Sequence, residues 1–278
     1  MARLTKQEKI KVAIGTAAIA LIILFAATAR LPALNFLRIW PVSDSQTADA
    51  IEEPRNQTVK YALDTVKELS IDWMGDDISI VVGDVEQVEI TEEIGAGVSE
   101  AAAKPASISL TENGTLSISD IIPDGTDLSS LHTNGRKHLT VTLPVDTETV
   151  LDSVTIDGVY SGFSVKGAAC EKLSLDGIGG DVDVDGEVHD LLSVDGMLGD
   201  ISLKLTGAAP RAIELDGMLG NSEITLPEGS GFVANVDGMS AGFTSNLPFE
   251  RNGDVYRSGN SATEISVSGM TGEVHIAG

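Results

Sequence analysis

From about Val59 to the end of the chain, apolar residues recur at every second position. Period two places alternate side chains on opposite faces of a strand. Residues 67–73, 78–82, 85–90 and 138–144 read as strands, with turns at Gly75-Asp76-Asp77 and Gly83-Asp84. Residues 108–110 and 116–118 flank Asn113-Gly114 and read as a hairpin, because Asn and Gly tolerate the positive φ that tight hairpin turns need. Residues 94–105 and 121–136 are predicted loops. No long 3.6-residue period appears after residue 60, so an all-β body is expected.

The region 154–278 repeats one unit six times: an alternating run, Asp-Gly, a large apolar residue, then a second Gly. The last copy has Ser268 in place of Asp. The turn glycines are Gly158, Gly177, Gly196, Gly217, Gly238 and Gly269, in steps of 19, 19, 21, 21 and 31 residues. A near-constant period marks a stacked array, since one unit cannot bury its apolar face alone. The expectation is an all-β, single-stranded parallel β-helix (solenoid) with coils of about 20 residues. One N-terminal transmembrane helix is expected to precede it. The glycine after each Asp would allow a sharp bend with φ > 0. Stacking would align Val159, Ile178, Met197, Met218, Met239 and Met270 in one column. Methionine in such a column admits a soft-metal reading, but Val and Ile in the same positions fit a core stack.

The N-terminus departs from this pattern. Residues 12–29 carry no charge over 18 positions, the lower limit for a spanning helix. Arg3, Lys6, Lys9 and Lys11 precede them, against Glu8 alone, which orients the N-terminus to the cytoplasm and the body outward. Residues 1–11 are expected to be a cytoplasmic tail and 12–29 a signal anchor. Residues 30–58 are expected to form a juxtamembrane segment and linker, and 59–278 the repeat domain. Phe36 and Trp40 suit the membrane interface. Ala27-Thr28-Ala29 offers the alternative of a cleaved signal.

Charge and composition narrow the chemistry. The net charge is −24, and residues 31–278 hold 41 acidic against 13 basic side chains. Such a body repels nucleic acid, so no nucleic-acid partner is expected. Cys170 is the lone cysteine, which excludes an intrachain disulfide and reads as a small buried residue. His132, His138, His189 and His275 show no metal-binding spacing, and no Gly-x-Ser-x-Gly elbow occurs. Gly177-Ile178-Gly179-Gly180 has no following helix or P-loop lysine. Asp181, Asp183, Asp185 and Asp200 could mimic the acidic part of a lyase-type solenoid site, but Lys166, Lys172, Lys204, Arg211, Arg251 and Arg257 are dispersed. No catalytic residue, cofactor or established metal site is expected. The candidate for a hard cation is a column of Asp157, Asp176, Asp195, Asp216 and Asp237. Hydrogen bonds within each Asp-Gly turn are the competing use of these carboxylates.

The strand–turn–strand of residues 69–80, then Gly114-Thr115-Leu116-Ser117-Ile118, then Leu139-Thr140-Val141-Thr142-Leu143-Pro144, then short coils ending in Gly, resemble one family. It is the bacterial "putative adhesin" β-strand-repeat family, a domain of unknown function. The resemblance covers roughly residues 59–278. It implies a β-solenoid at the cell envelope and supplies no catalytic residues. The functional expectation is a membrane-anchored, extracytoplasmic, non-enzymatic binding or structural protein. Its partner would be an unidentified envelope component or membrane protein. An envelope-stress sensor or regulatory ectodomain, and a carbohydrate-active solenoid enzyme, are the alternatives.

Overall fold

A computed structural model describes residues 50–278, apart from 101, 121–135, 146–149, 160, 178, 197–198, 218, 238–241 and 270–271. The expected membrane span at 12–29, His132, and five of the six post-turn column residues lie outside the described residues. Among the described residues, no helix is long and apolar enough to cross a membrane. The described chain is all-β, with 19 strands and a single 3-10 turn at Leu63–Thr65.

The strands pair in two rows. The first row runs β6 (Thr115–Ser119), β2 (Glu68–Trp73), β8 (Leu151–Gly158), the later part of β9 (Phe163–Gly177) and the later part of β10 (Val182–Asp195). It continues through β12 (Ala212–Asp216), β18 (Thr263–Ser268) and β14 (Phe232–Asp237). The second row runs β7 (Lys137–Pro144), β3 (Ile78–Gly83) and the early parts of β9 and β10. It continues through β11 (Ile201–Leu205), β13 (Ser222–Thr225), β19 (Glu273–Ala277) and β15 (Gly242–Ser245). Every pairing along both rows is parallel. The long strands β9 and β10 bend from one row into the other, so the rows form a single sheet.

Alternation decides which side chains face inward. Ile71, Ile156, Leu175, Val194, Leu215 and Val267 lie in register along the first row. Ile80, Val165, Val184, Leu203, Ile224 and Ile276 do so along the second. None of the twelve is more than 2% exposed, and all join one core. Burying each such side chain stabilises by about 1.5–3 kcal/mol. The second glycine of each repeat has a steric cause. A Cβ on Gly199, Gly220 or Gly272 would lie 2.1, 2.1 or 1.9 Å from the carbonyl oxygen of Gly180, Gly199 or Gly220 in the adjacent coil. Of the turn glycines, Gly196, Gly217 and Gly269 adopt φ of 77°, 74° and 72°, as the turn reading requires. Gly158 and Gly177 instead end β8 and β9 without positive φ.

Chain order and spatial order differ at both ends. The late strands β18 and β19 insert between β12–β13 and β14–β15, so the last strand pair in sequence lies inside the one before it. The 31-residue step contains a hairpin, β16 (Glu250–Asn252) and β17 (Val255–Ser258), which pairs antiparallel on β14. Phe243 stacks on Tyr256 at 3.9 Å, with Phe249 and Phe232 edge-on or tilted against Phe243. At the other end β2–β3 lie inside β6–β7. There β5 (Ser107–Leu110) and β4 (Val88–Ile94) add antiparallel to the outermost coil, and β1 (Arg55–Tyr61) adds to β4.

Two boundaries differ from the sequence reading. The strand expected at 85–90 is β4, displaced to Val88–Ile94 because Val88, Ile90, Glu92 and Ile94 are its buried positions. β1 begins at Arg55, within the segment read as linker, and Ile51 packs with Ile94, Val98, Ala102 and Ala103.

Candidate functional site

The outward positions of the two rows form two polar faces. On the first row, register places Asp72, Asp157, Asp176, Asp195 and Asp216 side by side, one per coil. Neighbouring strands lie about 4.7–4.9 Å apart. Ser268 comes next and Asp237 follows it. The structure differs from the sequence expectation at two positions of this column. Asp237 does not stack on Asp216, because β18 separates their strands. Ser268 is an interior member and not the terminal one, and its Oγ donates to Asp216 Oδ1 at 2.5 Å. Two residues back along each strand, Ser70, Thr155, Ser174 and Ser193 form a parallel row of hydroxyl side chains.

The second face carries an open groove of about 500 Å³, lined by Asp181, Asp183, Asp200, Ser202, Glu223 and His275 among others. The structure shows what two of these aspartates do. Asp181 Oδ1 accepts from the Asp200 N–H at 3.0 Å, and Asp200 Oδ1 accepts from the Asn221 N–H at 2.8 Å. Asn221 Oδ1 then accepts from the Glu273 N–H at 3.1 Å. These side chains tie the start of each strand of the second row to the next. Asn221 and Glu273 were not singled out in the sequence. Their signal was positional, since each stands directly before an alternating run as Asp181 and Asp200 do.

Other acids meet some of the dispersed cations. Lys166 Nζ lies 3.1 Å from Asp183 and Lys204 Nζ 2.7 Å from Asp185. Such exposed pairs contribute about 0–1 kcal/mol each. Arg211 Nε donates to Asp190 at 2.7 Å, which holds the Asp190 carboxyl below its usual range. His189 lies between two carboxylates, Nδ1 at 3.1 Å from Glu171 and Nε2 at 3.1 Å from Glu187. Its pKa rises above 6.5, first through the Glu171 bond, and burial opposes the rise. His138 lies 3.5 Å from Asp77, and His275 Nδ1 lies 2.9 Å from Thr244 Oγ1. These three histidines thus sit in separate pairings, and among the described residues no group of three or more His, Cys, Asp or Glu is arranged to hold a metal ion. Cys170 is buried, and burial followed by the Glu171 charge pushes its thiol up to about 12.

One polar cluster lies inside the protein. Glu92 and Lys137 are 0% and 2% exposed. Lys137 Nζ contacts Asp120 Oδ1, lies 3.5 Å from Glu92 Oε1 and donates to the Lys104 carbonyl at 3.3 Å. It sits 4.8 Å from the centre of the Trp73 ring. Glu92 accepts from Gln57 Nε2 at 2.7 Å and from the Ala106 N–H at 3.0 Å. Sequence reasoning passed over this cluster, although parity marks it. Lys137 shares the inward alternation of Leu139, Val141 and Leu143, and Glu92 that of Val88, Ile90 and Ile94.

The molecule is therefore an all-β, acidic protein with two strand faces of regularly spaced polar side chains. No protein-family model and no curated protein matches the sequence. Solved structures do. A putative cell adhesion protein from Clostridium sporogenes ATCC 15579 superposes with a TM-score of 0.50 at 14% identity, covering 81% of this chain and 99% of that one. A putative adhesin from Bacteroides fragilis NCTC 9343 gives 0.43 at 12% identity, over 80% and 97%. A putative lipid binding protein from Parabacteroides distasonis ATCC 8503 gives 0.33 at 11% identity, over 83% and 98%. The resemblance to the adhesin family drawn from the strand order holds at the level of fold.

Proposed function

We propose that this protein is a membrane-anchored β-solenoid whose body lies outside the cytoplasm. It serves a non-enzymatic binding or structural role at the cell envelope. The observation that carries the reading is the fold shared with the putative cell adhesion protein from Clostridium sporogenes over nearly all of that chain. The parallel coils of 19–21 residues support the solenoid assignment. Engagement of face carboxylates supports binding over catalysis: Asp181 and Asp200 accept backbone N–H groups, Asp183 and Asp185 meet lysines, and Asp216 accepts from Ser268. The uncharged run at 12–29 behind a basic tail supports the anchor and its orientation.

Protease added to intact protoplasts tests the topology. The body should be degraded while an N-terminal fragment persists in the membrane. Full protection of the chain refutes export, and a soluble body starting near Arg30 refutes the anchor. Binding is tested by pull-down of the purified body against fractionated cell-wall and membrane components. A saturable interaction with one fraction is expected, and turnover of a wall polymer without retention would instead favour the carbohydrate-active alternative.

A further inference from the structure

We propose that Lys137 and Asp120 join in an intramolecular amide bond, with Glu92 as the proton-transferring group. The two ends of the bond are already in contact inside the protein, with the side chains of Lys137, Asp120 and Glu92 3%, 6% and 0% exposed. Both backbones are held. The Lys137 N–H donates to Asp76 Oδ2 at 2.8 Å and its carbonyl accepts from the Asp76 N–H at 2.8 Å, while the Asp120 N–H donates to the Asp72 carbonyl at 3.0 Å. Fixing an amine against a carboxyl converts a bimolecular condensation into an intramolecular one, the largest entropic obstacle to amide formation.

The surroundings supply the rest of the chemistry. The three side chains are almost wholly removed from solvent, and the step begins as one proton passes from Lys137 Nζ to the Asp120 carboxylate across their contact. Nζ attacks Cγ of the protonated Asp120 carboxyl, forming the Nζ–Cγ bond. The Met74 N–H, 3.0 Å from Asp120 Oδ2, stabilises the negative charge that develops on that oxygen. Glu92 takes a proton from Nζ and returns one to Oδ1. The Cγ–Oδ1 bond then breaks and water leaves. An ammonium and a carboxylate become an amide and one water, with no oxidant or co-reactant. Burial raises the Glu92 carboxyl above its usual range, although the Ala106 N–H and Lys137 oppose the rise, and this suits a proton carrier. The reaction also removes the cost of keeping a charged pair inside the protein. The product links the end of β6 to the start of β7, the two strands of the outermost coil at this end. A cut in the chain between residues 120 and 137 would then leave the coil covalently closed.

The test is intact-mass and peptide mass spectrometry on the full chain, purified and denatured. The wild type should be lighter than its sequence by one water. Trypsin should release a branched peptide joining the Asp120 segment to the Lys137 segment, with no cleavage after Lys137. Lys137→Arg and Asp120→Ala should each have the full sequence mass, and Glu92→Gln should retain the full mass or convert much more slowly. Cleavage after Lys137 in the wild type, with both peptides unlinked, overturns the proposal. A water loss that maps to one of the Asp-Gly turns, where a succinimide has the same mass, also overturns it. The wild-type result needs no variant to fold.

Discussion

Ser268→Asp is the sharpest probe of the first-row acidic column. The substitution places a carboxylate between Asp216 and Asp237, which the register sets on either side of residue 268. At about 4.8 Å each neighbour costs about 0.9 kcal/mol in a water-like dielectric, so two cost about 1.7 kcal/mol. Loss of the Ser268–Asp216 hydrogen bond adds about 1 kcal/mol. Urea unfolding at low salt should therefore show a loss of about 2–3 kcal/mol. In about 1 M salt the Debye length falls to about 3 Å, shorter than the spacing. The loss should then shrink to about 1 kcal/mol, the uncharged remainder. Ser268→Asn keeps a donor for Asp216 and should stay near wild type at both salt levels. Were Ser268 terminal, as chain order alone suggests, only one neighbour would act and the Coulombic loss would halve. Equal stability of the Asp and Asn variants at low salt, or a gap that salt does not narrow, would refute the register argument.

Millimolar calcium or a chelator should leave the wild-type melting temperature nearly unchanged, because among the described residues no group of three or more His, Cys, Asp or Glu is arranged to hold a metal ion; a large rise abolished by Asp195→Asn would make the column a cation site. Cys170, with its thiol pushed up to about 12, should resist a thiol reagent near pH 8 until denaturant is added, and stoichiometric labelling of the native protein would contradict its burial. His189 should titrate above 6.5 by NMR, and Glu171→Gln should lower its pKa. Since its folded value is raised, the stabilisation it gives is complete below about 6.5 and is lost as pH rises through the folded pKa. A value at or below 6.5 in the wild type would refute the pairing.

Much of this architecture was legible because alternation and turn chemistry are local. Val182 and Val184, or Ile213 and Leu215, declare their inward parity within a few residues, and the Asn113-Gly114 hairpin was found from its turn. The exchanged order at the two ends was not legible. Parallel pairing of β12 with β18 across some fifty residues leaves no short-range mark. The insertion before Gly269 was visible only as a longer step, and hairpin β16–β17 explains it. The groove aspartates were noticed for their charge, but their work as acceptors for the next coil depends on stacking that no single repeat contains. The buried cluster was missed for a different reason. Lys137 and Glu92 are ordinary surface residues by type, and only strict attention to parity puts them inside.

The exchange at each end addresses a general difficulty of stacked strands. A row of parallel strands terminates in unpaired N–H and C=O groups, which can recruit another chain. In this protein the last coil in sequence does not terminate the rows. It is placed one coil inward, which leaves β14–β15 outermost and lets the residues between them and β18 fold back as β16–β17 over β14. The covering strand is polar and exposed at Glu250, Arg251 and Asn252, while Tyr256 and Phe249 close over Phe243 beneath it. The opposite end reaches the same result with β4 and β5, and β1 adds Arg55 and Lys60, paired to Glu100 and Glu89, at the outermost edge. Antiparallel strands do the covering in both places because a short hairpin can reverse direction locally, whereas a further parallel strand would need another complete coil. The antiparallel strands lie where the sequence departs from the period: β16–β17 within the 31-residue step before Gly269, and β4 and β5 ahead of β6 and β7.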